Sequence, residues 1–287
     1  MIYLFLSIAS STVIVILFKY FEKYKVDLYY PIIINYFVAS GLGLFLNDYK
    51  TGFVEVFQSN WIFLAIIIGT LLIAMFFVIG LSIQKAGITV TTVSSRMSLI
   101  IPITFSIIYY NESVSTVKIA GIVLAIMAIF FSLMRKGKIK LNQKYFYLPF
   151  IAFVGGGISD ALVKYSQQEY LSFDNTALFS GILFTFSAVI GVFISFFKKT
   201  PIKSFFKPKI LISGILLGAA NFGSMLFFIK ALANCKFESS IVFGFNHIGI
   251  ILFSAVFATI VFKEKLSLIN KIGIVLAFLS ILILSRV

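Results

Sequence analysis

The chain has 287 residues, of which 60% are hydrophobic, 17% aromatic and only 12% charged, with a mean hydropathy of +1.07. No water-soluble interior accommodates that much apolar surface, so lipid is the expected solvent for most of the chain. The formal net charge of +14 sits in short stretches between apolar runs and not on one soluble face, which argues against nucleic acid as a partner; one Cys (Cys235) and one His (His247) leave no disulfide framework or metal site, and no cofactor is expected.

Read with a window of about 19 residues, the apolar runs fall at 2–20, 29–47, 61–83, 88–110, 116–134, 145–165, 176–197, 209–231, 239–262 and 268–285. The first begins almost at the start (Ile2 to Phe18), with no basic n-region and no small-residue cleavage site, so it reads as a retained helix. Each run is close to the roughly 20 residues that cross a 30 Å hydrocarbon core as a helix, about twice the length of a barrel strand. The expected fold is therefore all-α and integral to the membrane, with ten transmembrane helices. The longest connections, 48–60, 135–144 and 198–208, leave no room for a soluble domain.

Lys and Arg are unevenly divided between the two sets of connections. Seventeen lie on the side reached after odd-numbered runs and six on the other, with Arg96 inside a run. The positive-inside rule places the basic side in the cytoplasm and both termini on the opposite side of the cytoplasmic (inner) membrane. The basic stretches read as anchors to anionic lipid.

Internal repetition is the most informative feature of the chain. The sequence GIVLA at Gly121 to Ala125 recurs at Gly273 to Ala277, a shift of 152, and each copy follows an acidic residue by nine positions, Glu112 and Glu264. Thr70, Phe76, Phe77, Gly80 and Leu81 match Asn221, Phe227, Phe228, Ala231 and Leu232, and Lys19-Tyr20 matches Lys164-Tyr165. The common order of these matches implies a duplicated five-helix unit, 1–139 and 140–287. Because five is odd, the second copy would cross the membrane in the opposite sense, an inverted repeat of the kind found in secondary transporters.

With these residues in view, the chain resembles the EamA-like family of the drug/metabolite transporter superfamily. The resemblance rests on Gly80-Leu81 and Ala231-Leu232, Pro102, Glu112 and Glu264, and the GIVLA copies, and it covers essentially the whole chain. It implies export of amino acids or other small metabolites as a common activity and a central cavity lined mainly by the third, fourth, eighth and ninth helices and their neighbours. One departure is Ser254, at the place of a second proline, which implies a weaker bend in the ninth helix.

Polar groups within the runs are the site candidates, since burying them in lipid is costly enough that they face an interior or a wet cavity. Arg96 lies roughly 12 Å into the fourth run at about 1.5 Å per residue, where a guanidinium can grip a carboxylate or phosphate; its competing reading is a structural pair with Asp160 or with backbone carbonyls. Asn246 and His247 lie at a similar depth in the ninth run, opposite the register of Ser94 and Ser95. His247 is a candidate for solute binding or proton coupling, against a satisfied interhelical hydrogen bond. Asn221 and its counterpart Thr70 complete the expected polar wall, or else serve as helix–helix glue. Asp160 is a second proton-coupling candidate, with a local pair to Lys164 as the plainer reading. Gly155-Gly156-Gly157 and the Gly214/Gly218 spacing read as close-packing positions, and Glu112 and Glu264 as caps or anchors of the helix that follows.

No phosphate loop, nucleophile elbow or metal-ligand spacing is present, so no enzyme is expected. The expected function is secondary active transport of a small polar metabolite by alternating access around Arg96, Asn221, Asn246, His247 and Thr70. The partners are that small-molecule solute and the lipid bilayer, and the default state is a monomer, with a homodimer as the alternative. A facilitator or antiporter for sugar phosphates and a non-transporting membrane receptor are the competing readings.

Overall fold

The computed structural model describes residues 1–46, 57–86, 88–133, 145, 147–172, 175–197, 201–261 and 267–284. Glu264 and the basic residues of 134–144 and 198–200 lie outside the described residues. Among those described, the elements are helices without a strand: α1 (Ile2–Lys23), α2 (Tyr29–Phe45), α3 (Ile62–Ala86), α4 (Ile88–Met97), α5 (Ile100–Tyr109), α6 (Thr116–Leu133), α7 (Tyr147–Glu169), α8 (Thr176–Phe197), a 3-10 turn (Ile202–Ser204), α9 (Pro208–Asn234), α10 (Ser239–Val261) and α11 (Leu268–Leu284). Each expected apolar run is helical over its described residues, and the fourth is two helices in place of one. A helix satisfies its own backbone donors and acceptors, the only local solution for apolar chain in hydrocarbon. Among the described residues, five helices are long and apolar enough to cross a membrane: Ile62–Ile79, Tyr147–Glu169, Thr176–Phe197, Pro208–Asn234 and Ser239–Phe257. Five further apolar helices are shorter, at 10–17 residues.

Helix ends follow from local chemistry. At the end of α1, Lys25 takes a left-handed φ of 49°, and the Val26 N–H donates to the Phe21 carbonyl at 2.9 Å, closing a Schellman turn. Val26 and Phe21 then bury against Leu217, the apolar contact that usually accompanies such a turn. The first turn of α6 is capped by Ser115, whose hydroxyl accepts from the Lys118 N–H at 3.1 Å. The first turn of α11 is capped by Ser267, which accepts from the Asn270 N–H at 3.2 Å.

The chain divides into two compact units, one of Met1–Phe76 with Leu162–Asn234, the other of Phe77–Ala161 with Cys235–Val287. Each draws on both sequence halves, so the compact units cut across the division at 139/140 that the repeat suggests. In the first unit, α1 and α2 pack on α9, and α2 also packs on α8. Small residues permit this approach: a methyl at Gly218 would lie 2.6 Å from Val38 Cβ, and one at Gly214 would overlap Ile34. The spacing read from the sequence as a packing device is one. Tyr36 is fully buried between the Phe76 and Phe184 rings.

In the second unit, α6 packs along α11, while α10 contacts α5, α6 and α11, and α4 contacts α6. Residues Ser239 to Ile251 of α10 are buried on every side of the helix, as expected for an element that is apolar all round. Ala125, Ala128, Ile248 and Ala277 form its core, and the Ser280 hydroxyl donates to the Gly121 carbonyl at 2.8 Å.

Candidate functional site

The second unit contains a helix break with a specific cause. In an uninterrupted helix the N–H of residue 102 would donate to the Ser98 carbonyl, but Pro102 has no N–H and its ring collides with that carbonyl. The Ser98 carbonyl instead accepts from the Ile101 N–H at 3.0 Å, the Leu99 N–H reaches back to the Arg96 carbonyl at 3.5 Å, and α4 ends at Met97 before α5 begins at Ile100. The Ser98 hydroxyl turns back onto the Ser95 carbonyl at 2.7 Å. In α10, where Ser254 occupies the corresponding place, the helix runs unbroken from Ser239 to Val261, as the missing proline implies.

Arg96 lies in the last turn of α4, where a cation is favoured by the helix dipole. The glycines of α7 bring that helix to the break: a methyl at Gly157 would lie 2.5 Å from Ile101, and one at Gly156 would lie 3.5 Å from the Ser98 hydroxyl. One turn further along α7, Asp160 lies within electrostatic reach of the Arg96 guanidinium. On its other side, Asp160 Oδ2 is 3.8 Å from His247 Nε2. That separation is too long for a hydrogen bond and suits an ion pair when the ring is protonated. The Asp160 side chain is 34% exposed and that of His247 is 9% exposed.

His247 Nδ1 is buried without a hydrogen-bond partner among the described residues, as are the hydroxyls of Ser95 on α4, Ser106 on α5 and Ser254 on α10. Buried polar atoms are almost always paired, so each of these open ones is a point at which water or solute can bond. Asn246 is buried beside His247 in sequence.

The other expected site residues belong to the first unit. The Asn221 amide donates to Asn35 Oδ1 at 3.0 Å, and Asn35, fully buried, donates to the Ile32 carbonyl at 3.3 Å. This ties α9 to α2, the helix–helix role weighed for Asn221. The Thr70 hydroxyl donates to the Ile66 carbonyl one turn back, on an exposed face of α3. Lys164, nearly fully buried, donates to Gln167 and Gln168 at 3.0 Å each. Asn35 was missed although an amide within an apolar run is the same signal that selected Asn221.

A second polar cluster, also in the second unit, was only half anticipated. Glu112 caps a helix, but not α6, the one that follows it. Its carboxylate accepts from the Ser239 N–H at 3.0 Å, the Ser240 N–H at 3.2 Å and the Ser240 hydroxyl, so it covers the N-terminus of α10. The reason is local: Ser115 already caps α6, whereas α10 opens with N–H groups for which a carboxylate is the best acceptor. Lys118, with no exposed side-chain surface, joins Glu112 at 3.3 Å, the Ser113 carbonyl at 2.9 Å and Glu238. Glu238 also accepts from the Ser113 N–H at 3.0 Å and the Ser113 hydroxyl at 2.9 Å. Partial burial by itself would raise the Glu238 carboxyl, but the bonds from Lys118 and Ser113 outweigh it and hold the group below the usual carboxylate range.

Comparison with known proteins gives a fold and no activity. No family model matches the chain. An uncharacterized protein of Haemophilus influenzae is 29% identical over 286 residues, which cover 97% of this chain and 95% of that one. A solved crystal structure matches with a TM-score of 0.78 over 99% of this chain and 97% of its own, at 11% sequence identity, a likeness of fold alone.

Proposed function

We propose that the chain is a secondary transporter that carries a small polar metabolite, an amino acid or a related compound, across the cytoplasmic membrane by alternating access, with Arg96, Asp160 and His247 in its solute site. The observation that carries this reading is the gathering of three ionisable side chains at a helix break within an otherwise apolar set of helices. Ionisable groups at such depth are expensive and mark solute or ion paths, and broken helices supply open backbone groups where a solute is held.

The ten apolar runs are taken as ten crossings, in two five-helix repeats of opposite sense, with both termini outside. Support comes from the recurrence of GIVLA at a shift of 152 and from the matching caps Ser115 to Lys118 and Ser267 to Asn270, which stand at that same shift. The resemblance to EamA-like transporters agrees with this reading and implies export. The chain alone is taken as the working unit, since a duplicated unit supplies both sides of a pathway.

The test is reconstitution of purified protein in liposomes with counterflow of labelled amino acids and related metabolites, comparing native protein, Arg96→Ala and protein-free vesicles. Saturable flux that falls at least about 100-fold in Arg96→Ala is expected, as for loss of a charge-assisted bidentate contact. A folded preparation without flux for any solute favours a receptor instead.

A further inference from the structure

Arg96, Asp160 and His247 form a set whose net charge is decided by one proton. With a neutral imidazole, the guanidinium and the carboxylate cancel. With an imidazolium, one positive charge is left over. In water that difference would be negligible, but His247 is buried and Arg96 is half-buried, so an uncompensated charge there is costly.

The two ring nitrogens of His247 have different surroundings. Nε2 of His247 faces the Asp160 carboxylate at 3.8 Å, while Nδ1 is buried and has no partner among the described residues. A neutral ring with its hydrogen on Nε2 presents Nδ1 as an open base. A proton added at Nδ1 leaves Nε2–H directed at the carboxylate.

Building on the solute site argued above, we propose that these three residues take up one proton and one singly charged anionic group, such as a carboxylate, together, so that proton and solute travel in the same direction. The anion alone would leave the set at one negative charge and the proton alone at one positive charge, whereas both together leave it neutral. Each therefore strengthens the other's binding, and by linkage the effect is reciprocal. Exchange of an outgoing anion for an incoming proton needs the opposite linkage, in which the site loses its proton as the anion enters. An outward metabolite gradient then carries protons out with the solute.

Other charged or titratable groups on or beside the elements around α10 are Glu112 and Glu238 in the connections before α6 and α10, Lys118 on α6, Tyr109 at the end of α5 with Tyr110 just past it, and Lys271 near the start of α11, while α7, which brings Asp160, also carries Tyr147, Lys164, Tyr165 and Glu169. The first three are bonded to one another, and Lys271 is exposed, so they contribute a constant background field.

The sequence supplies its own reporter, because His247 is its one histidine. Ring-labelled histidine in the full-length protein in lipid nanodiscs gives one NMR resonance whose midpoint is read against pH. Asp160→Asn is expected to weaken the ring's proton affinity about tenfold and Arg96→Gln to strengthen it about tenfold, the size of effect a close charge produces. Arg96→Lys should restore native behaviour, and Lys271→Gln should change nothing. Acetate added in increasing amounts should strengthen the proton affinity in the native protein and lose that effect in Arg96→Gln. An unchanged midpoint in Asp160→Asn or in Arg96→Gln, or a native midpoint that acetate leaves alone or weakens, overturns the proposal. Arg96→Met and Asp160→Leu stand in if the first variants do not fold. The result is separable from the transport reading: expected shifts without liposome flux sink transport alone, and flux without the shifts sinks the joint binding of proton and anion.

Discussion

Lys118 has no exposed side-chain surface and stands between two carboxylates, one of which, Glu112, holds the first turn of α10. Removing Lys118 leaves two neighbouring carboxylates without their cation, one of them, Glu112, buried, which costs roughly 3–5 kcal/mol for such groups; removing Glu112 leaves Lys118 paired with Glu238 but strips the Ser239 and Ser240 N–H groups of their acceptor. Lys118→Met and Glu112→Ala should therefore each lower the Tm markedly in detergent, with Glu112→Ala also fraying the start of α10 in amide exchange. Glu238 adds a pH dependence. Its carboxyl is held below the ordinary value of 4.5, so its stabilisation is complete above that value and is lost as the pH falls through the depressed folded value. The Tm should drop as the pH is lowered below 4.5, and Glu238→Gln should flatten that acid limb; an equally steep limb in the variant would place the acid sensitivity elsewhere. At this scale the sequence was partly legible. Glu112 and Arg96 stood out as charges beside or within apolar runs, but which helix Glu112 would cap is a tertiary fact, and nothing in the local spacing links position 112 to position 240.

At the scale of elements, hydropathy located the helices well because in lipid the backbone must satisfy itself, so an apolar run of the right length has few alternatives. The fourth run is where that signal fails. A window of about 19 residues averages across the two-residue gap at Ser98 and Leu99, so one span was expected where α4 and α5 stand. The cause, Pro102, was visible, as was its absence at Ser254. Pro102→Ala gives residue 102 an N–H for the Ser98 carbonyl and should fuse α4 and α5, raising stability by up to about 3 kcal/mol while flux falls, since the turn that ends α4 just past Arg96 is lost. A variant with native flux and a straightened helix would show that the break serves packing alone. The Gly214 and Gly218 spacing was read correctly for the same reason that the break was missed: close approach is a property of residue size at helical intervals, which a sequence states directly. Gly218→Leu should destabilise by about 1–3 kcal/mol in the same thermal assay through overlap with Val38 and the Asn35 carbonyl.

At the scale of the whole molecule, composition was enough to predict an all-helical chain rich in potential membrane spans, but not which side chains would meet. Arg96, Asp160 and His247 come from three helices far apart in sequence and share one compact unit, whereas Asn221 and Thr70, chosen on the same grounds of depth and polarity, belong to the other. Depth along a helix is written in the sequence; the face of the helix and its neighbours are not. Orientation is a separate inference, and it rests on seventeen basic residues on one side against six on the other. It assigns Cys235, half-buried in the connection after α9, to the side away from the cytoplasm, and Ser204, before α9, to the cytoplasm. Since Cys235 is the one cysteine, the native chain can be tested without removing others. A membrane-impermeant maleimide should label Cys235 in intact cells. Ser204→Cys in a Cys235→Ser background should be labelled only after permeabilisation. The reverse pattern would invert the molecule in the membrane, and labelling of both from outside would mean that the chain between them does not cross as a single span.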